Sequence, residues 1–355
     1  MSPTWEPDVL AGYWRQTLSL GPDPDGEGEI FATLVRRGDR IAARHAVLVV
    51  HGFTDYFFHT ELADHFAGRG FAFYALDMHK CGRSWREGQT PHFTTNLRRY
   101  DAELDWALEV IAEETGERSD PGTNPDGQER SDPGTNPGGP ATLVYGHSAG
   151  GLIVALWLNR RRARGAGGVS GLVLNSPWLD LQGPAILRSA GTAAILALAQ
   201  LPGKRVIPLP HEVAYGESLH RDYGGEFDYN LQWKPIGGFP VTFGWINAIR
   251  RGHAKLHRGL DVGVPNLILR SDHSIPGGSD PQTAQRGDAV LDVRQIARWA
   301  GCVGNRTTIV PVADAKHDVF LSVTEPRRQA YRELDAWLDW YTTFLESHAP
   351  ARTSS

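Results

Sequence analysis

The stretch ATLVYGHSAGGLIVALWLNRR, residues 141–161, decides the fold. Residues 142–145 are apolar, β-branched or aromatic, the pattern of a buried strand. Gly146-His147-Ser148-Ala149-Gly150 interrupts that run, and residues 151–164 continue with apolar side chains at helical spacing. A strand, a five-residue G-x-S-x-G turn and a helix form a nucleophile elbow. The chemistry accounts for the composition. A serine on so sharp a turn takes strained backbone angles, and its neighbours lack bulk so that strand and helix can approach. Chance could produce G-x-S-x-G in a chain with 40 glycines, so it is the flanking strand and helix that give the motif its meaning.

Outward from the elbow, strand patterns fall at 14–20, 30–37, 46–50, 71–76, 142–145, 171–175, 266–270 and 307–312. Helical patterns lie between many of them, at 60–69, 97–114, 151–164, 292–300 and 327–346. Such alternation predicts a mainly parallel sheet covered on both faces. Two segments break it. At 117–140 the nonapeptide ERSDPGTNP occurs twice, in a Pro/Gly/Asp-rich stretch that cannot build a core and reads as a disordered surface insertion. Between strands six and seven lie nearly ninety residues, 176–264, rich in aromatics and with helical patterns near 184–201 and 241–258. An insertion there sits above the carboxyl ends of the strands, where ligands bind, and reads as a lid. The expected organisation is therefore a core in two parts, 1–175 and 265–346, a lid at 176–264 and a disordered tail at 347–355.

Composition narrows the class. The chain has 355 residues, 41% of them hydrophobic and 22% charged, with a net charge of −5. That describes a globular protein and argues against nucleic acid as a partner. The cluster Arg160, Arg161, Arg162 and Arg164 falls where the elbow helix should end, where cations complement the helix dipole. Cys81 and Cys302 are far apart and lack metal-ligand spacing, which fits a reducing compartment, or at most one disulfide. The N-terminal residues show neither a basic nor an apolar signal region, and no run approaches the roughly 18 apolar residues of a membrane span. A cytoplasmic location is expected. The apolar run at 190–201 reads as a buried or lid helix, with transient lipid-surface contact as its alternative.

A serine hydroxyl is a weak nucleophile and needs a histidine base, an acid to orient that base, and donors for the oxyanion. With a nucleophile on such an elbow the chain order is serine, acid, histidine. His317 follows the last strand closely and fits the base. For the acid, Asp288 in GDAVLD (287–292) is the first choice. Asp272, at the end of the seventh strand, is an alternative, and so is Asp292, which also suits a helix N-cap. The oxyanion donors should be the backbone N–H groups of Ala149 and, after the strand ending at Val50, Phe53 of His51-Gly52-Phe53-Thr54-Asp55. His253 and His257 stand four apart, a spacing that can bind metal, yet no third ligand accompanies them; no metal and no cofactor is expected.

HGFTDYFFH, ALDMHKCGRSW (75–85), GHSAGG, GDAVLD and KHDVFLS, in that order, resemble the α/β-hydrolases grouped with serine aminopeptidases, monoacylglycerol lipases and lysophospholipases. The resemblance covers roughly 30–115 and 141–345. It implies an α/β-hydrolase fold, a mostly parallel eight-stranded sheet with helices on both faces and a helical lid between strands six and seven. It also implies hydrolysis of a small ester or lipid-like substrate through an acyl-enzyme on Ser148. Two departures stand out: Lys80 and Cys81 where the family usually has a compact glycine pattern, and a long loop between Asp272 and Asp288. Two rival functions remain open. A peptidase should present lid carboxylates to a substrate amine, for which Glu212, Glu217 and Glu226 are available. A binding protein on a hydrolase scaffold would not need Ser148, Asp288 and His317 together.

Overall fold

The structure, a computed structural model, describes residues 4–38, 43, 45–116, 141–181, 203–208 and 213–348. The duplicated insertion at 117–140, the helical pattern at 184–201 and residues 349–355 of the tail lie outside the described residues. Nine strands there form one sheet: β1 (Glu6–Pro7), β2 (Tyr13–Pro22), β3 (Glu29–Arg37), β4 (His45–Val50), β5 (Phe71–Asp77), β6 (Ala141–His147), β7 (Val169–Asn175), β8 (Asn266–Ser271) and β9 (Thr307–Val312). Their order is β1-β2-β3-β5-β4-β6-β7-β8-β9. The pairings from β5 through β9 are parallel, while β1, β2 and β3 join antiparallel at one edge. The eight expected strands fall within β2 to β9. Only β1 is additional: it pairs Glu6 with Arg15 and Pro7 with Trp14, and two residues are too few to show a period of two.

Strand β4 shows why the sheet needs cover on both sides. Ala46, Leu48 and Val50 enter one apolar cluster and Val47 and Val49 the other, the alternation a pleated strand imposes. The first cluster receives α2 (Asp101–Gly116), through Leu104, Ala107 and Ile111, and α3 (Ala149–Ala163), through Leu152 and Leu156. The second receives α1 (Thr60–Gly68), through Leu62 and Phe66, and the long C-terminal helix through Leu334, Leu338 and Tyr341. Among the described residues, α4 (Ala214–Leu219) and α5 (Phe243–Leu256) lie between β7 and β8, and α6 (Val293–Trp299) and α7 (Thr324–His348) follow β8 and β9.

The expected helix at 97–114 opens as a 3₁₀ turn, Leu97–Tyr100, before α2 begins. Asn96 explains that entry, because its side chain accepts from the Arg98 N–H at 3.1 Å. The arginine cluster ending α3 is also paired with α2: Arg160 chelates Asp101 at 2.7 and 2.5 Å, and Arg161 bonds Asp105. Both cysteines are free, Cys81 buried and Cys302 partly so. No helix among the described residues is long and apolar enough to cross a membrane.

Candidate active site

β6 leads into Ser148 at φ +52°, ψ −120°, a conformation that costs a side-chain-bearing residue about 1–3 kcal/mol and persists only where neighbours impose it. The neighbours are visible. The Ser148 N–H donates to Asn175 O at 3.0 Å, and Ser148 O accepts from the N–H groups of Gly151 (3.0 Å) and Trp178 (2.9 Å). The glycines are steric requirements here. A Cβ on Gly146 would stand 2.8 Å from Gly151 Cα, and one on Gly150 would stand 2.2 Å from His51 O. Strand, turn and helix meet with no room for a methyl group.

The turn after β4 abuts this elbow. A Cβ on Gly52 would come within 2.9 Å of Ser148 Cβ. His51 fixes the turn through both ring nitrogens: Nε2 accepts from the Met78 N–H at 3.1 Å, which leaves the proton on Nδ1 to donate to Gly52 O at 2.8 Å. The Phe53 ring lies 4.0 Å, centroid to centroid, from Trp245 of α5 and 5.1 Å from His92. Among the described residues neither the Phe53 N–H nor the Ala149 N–H has an acceptor, so both are available to an oxyanion.

His317 sits in the loop between β9 and α7, and its Nδ1 lies 2.9 Å from Asp288 Oδ2. Both side chains are buried, Asp288 completely. The other oxygen of Asp288 accepts from the N–H groups of Val290 and Leu291, each at 2.8 Å. These bonds hold the carboxylate toward His317, and the imidazole then carries its lone pair on Nε2. The long loop that departs from the family pattern is an excursion that closes on itself. The Asp288 N–H returns to His273 O at 3.1 Å and the Ile275 N–H to Asp288 O at 2.7 Å. The alternatives lie elsewhere. Asp272 is exposed and bonds His273 Nδ1 and the Asp314 N–H, while Asp292 caps α6 by accepting from the Arg294 N–H.

Part of the segment between β7 and β8 is fastened to these same loops. Lys234 reaches Asp55 at 2.7 Å. Burial alone would raise the Asp55 pKa, but the Lys234 ammonium holds the carboxyl below the usual carboxylate range. Lys316, next to His317, is buried and donates to Ser218 O at 2.6 Å. That burial pushes its ammonium down to about 8. The Asp318 N–H donates to the Tyr215 hydroxyl at 3.2 Å, and the Tyr215 ring stands edge-on to His317 at 5.6 Å. His147, whose ring lies 4.9 Å from that of His317, is kept below its usual pKa by burial, which leaves it neutral beside that ring. Sequence reasoning gave no role to Lys234, Lys316, Asn175 or Tyr215. Lys234 and Asp55 are 179 positions apart, and no local pattern joins them.

His253 and His257 turn their Nε2 atoms to the carbonyls of Trp178 and Leu179, each at 2.9 Å, and so fasten the chain beyond β7 rather than face each other around an ion. His51, Cys81 and His92 come within metal-ligand distance of one another, but His51 already uses both nitrogens on the backbone. Of the three candidate amine-binding acids, Glu226 is paired with Arg327 at 3.0 Å, and Glu212 lies outside the described residues.

A family model described as the alpha/beta hydrolase family matches residues 47–333. No curated protein matches the sequence. Among solved structures, the chain resembles a monoglyceride lipase from Saccharomyces cerevisiae at 16% identity, with 96% of each chain covered and a TM-score of 0.57. A monoacylglycerol lipase from Paleococcus ferrophilus is similar at 17% identity, with 88% of this chain and 99% of that one covered and a TM-score of 0.54. A carboxyl esterase from Bacillus coagulans is similar at 14% identity, with coverage of 92% and 98% and a TM-score of 0.54. At these identities the likeness is one of fold.

Proposed function

This chain belongs to the alpha/beta hydrolase family, and from that premise we propose that it is a serine hydrolase of carboxylic esters. The observation that carries the reading is the 2.9 Å bond between His317 Nδ1 and Asp288 Oδ2, made by the loops that follow β8 and β9. Ser148, in its strained turn, directly follows His147, whose ring lies 4.9 Å from that of His317. Ser148 Oγ attacks the ester carbonyl while His317 Nε2 takes its proton, and the N–H groups of Phe53 and Ala149 receive the oxyanion. Collapse of the tetrahedral intermediate breaks the bond to the alcohol, which leaves with the proton from His317. A water then enters, gives a proton to His317 and hydrolyses the acyl-enzyme, restoring Ser148. Asp288 holds the tautomer throughout.

Residues 176–264 act as a cap in this reading, and their aromatic content suits an acyl or aromatic group on the substrate. The lipase and esterase folds cited above support an ester substrate. A peptidase is the less favoured reading, since an ester needs less help to its leaving group than an amide does; with Glu226 engaged by Arg327, Glu217 on α4 is the acid it would use. The test is a fluorophosphonate probe followed by graded p-nitrophenyl esters and aminoacyl nitroanilides. We expect a stoichiometric adduct on Ser148, turnover of the esters, and a loss of at least about 10³-fold in Ser148→Ala. A folded protein that takes no label would refute the reading, and nitroanilide cleavage faster than ester cleavage would move it to the peptidase.

A further inference from the structure

We propose that Asn175 is a positioning residue that sets the nucleophile and the base relative to each other, a role that rests on the hydrolase reading above. Asn175 ends β7, is fully buried and touches both halves of the site. On one side its backbone carbonyl accepts from the Ser148 N–H at 3.0 Å and from His147 Nδ1 at 3.1 Å. On the other its side chain grips the residues directly after His317. Nδ2 donates to Asp318 Oδ1 at 2.7 Å, and Oδ1 accepts from the Val319 N–H at 3.2 Å. The remaining contact of Nδ2 is the Tyr145 hydroxyl at 2.7 Å, on the neighbouring strand.

The chemistry of these partners leaves little choice of side chain. Val319 presents a donor and Asp318 an acceptor, so the side chain between them needs an acceptor and a donor on one short rigid group, and a primary amide offers that. The orientation of the amide follows from the same two partners. Asp318 Oδ1 also accepts from the Phe320 N–H at 3.0 Å, which closes the turn at 319–321. Ser148 and the chain after His317 are thus held by the two ends of one residue. Asp288 fixes the ring of His317; Asn175 fixes where its backbone stands relative to the elbow. A shift of about 1 Å between a nucleophile and its base can cost about 10²-fold in rate.

The test is Asn175→Ala in the full chain, with turnover normalised to the fraction of molecules that a fluorophosphonate titrates to completion. Normalisation removes losses from misfolding, which a merely structural role would produce. We expect kcat per titrated site and the rate of probe labelling to fall together, by about 10- to 100-fold, with KM changed by less than about threefold. If the wild type labels and Asn175→Ala keeps kcat per site within about threefold, the inference is overturned while the hydrolase reading stands. If the wild type does not label, the hydrolase reading itself fails. Asn175→Asp supplies a second measurement should the alanine variant not fold. It places two carboxyl groups at about hydrogen-bonding distance, where they share a proton, and the shared proton mimics the lost Nδ2–H donor. That variant should show a descending alkaline limb in kcat per site, absent from wild type, as the proton is lost. A profile of wild-type shape would overturn the inference.

Discussion

Asp288 owes its place beside His317 to two short bonds from Val290 and Leu291 rather than to any neighbouring cation. That arrangement separates the three candidate acids cleanly. Asp288→Asn leaves the loop bonds largely possible but presents the wrong partner to Nδ1, so turnover should fall by several orders of magnitude, as it does when the tautomer of a triad histidine is lost. Asp272→Asn should leave turnover within about twofold, because its bonds go to His273 and Asp314. Steady-state ester kinetics on the two variants decide the matter, and an active Asp288→Asn would remove that residue from the mechanism. At this scale order and spacing pointed to two residues the structure brings together, a histidine just after the last strand and an acid in GDAVLD; their roles, and that of the serine between glycines, are part of the proposal. Asn175 was not legible in the sequence, because a polar residue ending a strand is unremarkable until its partners at 318 and 319 are known.

Between elements, the decisive contacts are those with no room to spare. α3 starts so close to the end of β4 that a methyl group on Gly150 would meet His51 O at 2.2 Å and Val50 O at 2.8 Å. Gly150→Ala should therefore destabilise the fold by about 1–3 kcal/mol or more and displace the turn that carries the Phe53 N–H. Gly301→Ala, where nothing lies within 4 Å, is its control. Urea midpoints for the pair, with ester rates on whatever remains folded, provide the check; equal midpoints would contradict the packing argument. The strands and most helices were legible because burial on both faces writes itself into apolar runs and 3.6-residue periods. The 3₁₀ entry to α2 and the two-residue β1 were not, since each depends on one or two hydrogen bonds rather than on a pattern.

For the whole molecule, buried neutral histidines make stability depend on pH. Burial pushes His59 and His253 from 6.5 to about 4. Between those values the unfolded chain binds protons that the folded chain does not, so stability rises with pH through the window and falls on acidification. Each ring contributes up to about 1.4 kcal/mol per pH unit there. The urea midpoint at pH 5 should lie below that at pH 7, and His253→Gln, able to keep a donor for Trp178 O, should shallow the slope. Midpoints independent of pH would show that these rings are not buried neutral. The contacts that matter most at this scale are Lys234 with Asp55, Lys316 and Gln285 with Ser218 O, and Tyr215 with the Asp318 N–H. They tie residues 215–234 to the turn after β4, to the acid loop and to the histidine loop at once. This part of the chain is consequently not an interchangeable module. A chimera that replaced it with the corresponding piece of another hydrolase would strand a carboxylate at 55 and an ammonium at 316, so any exchange of specificity by that route has to carry the partner residues in the core along with it.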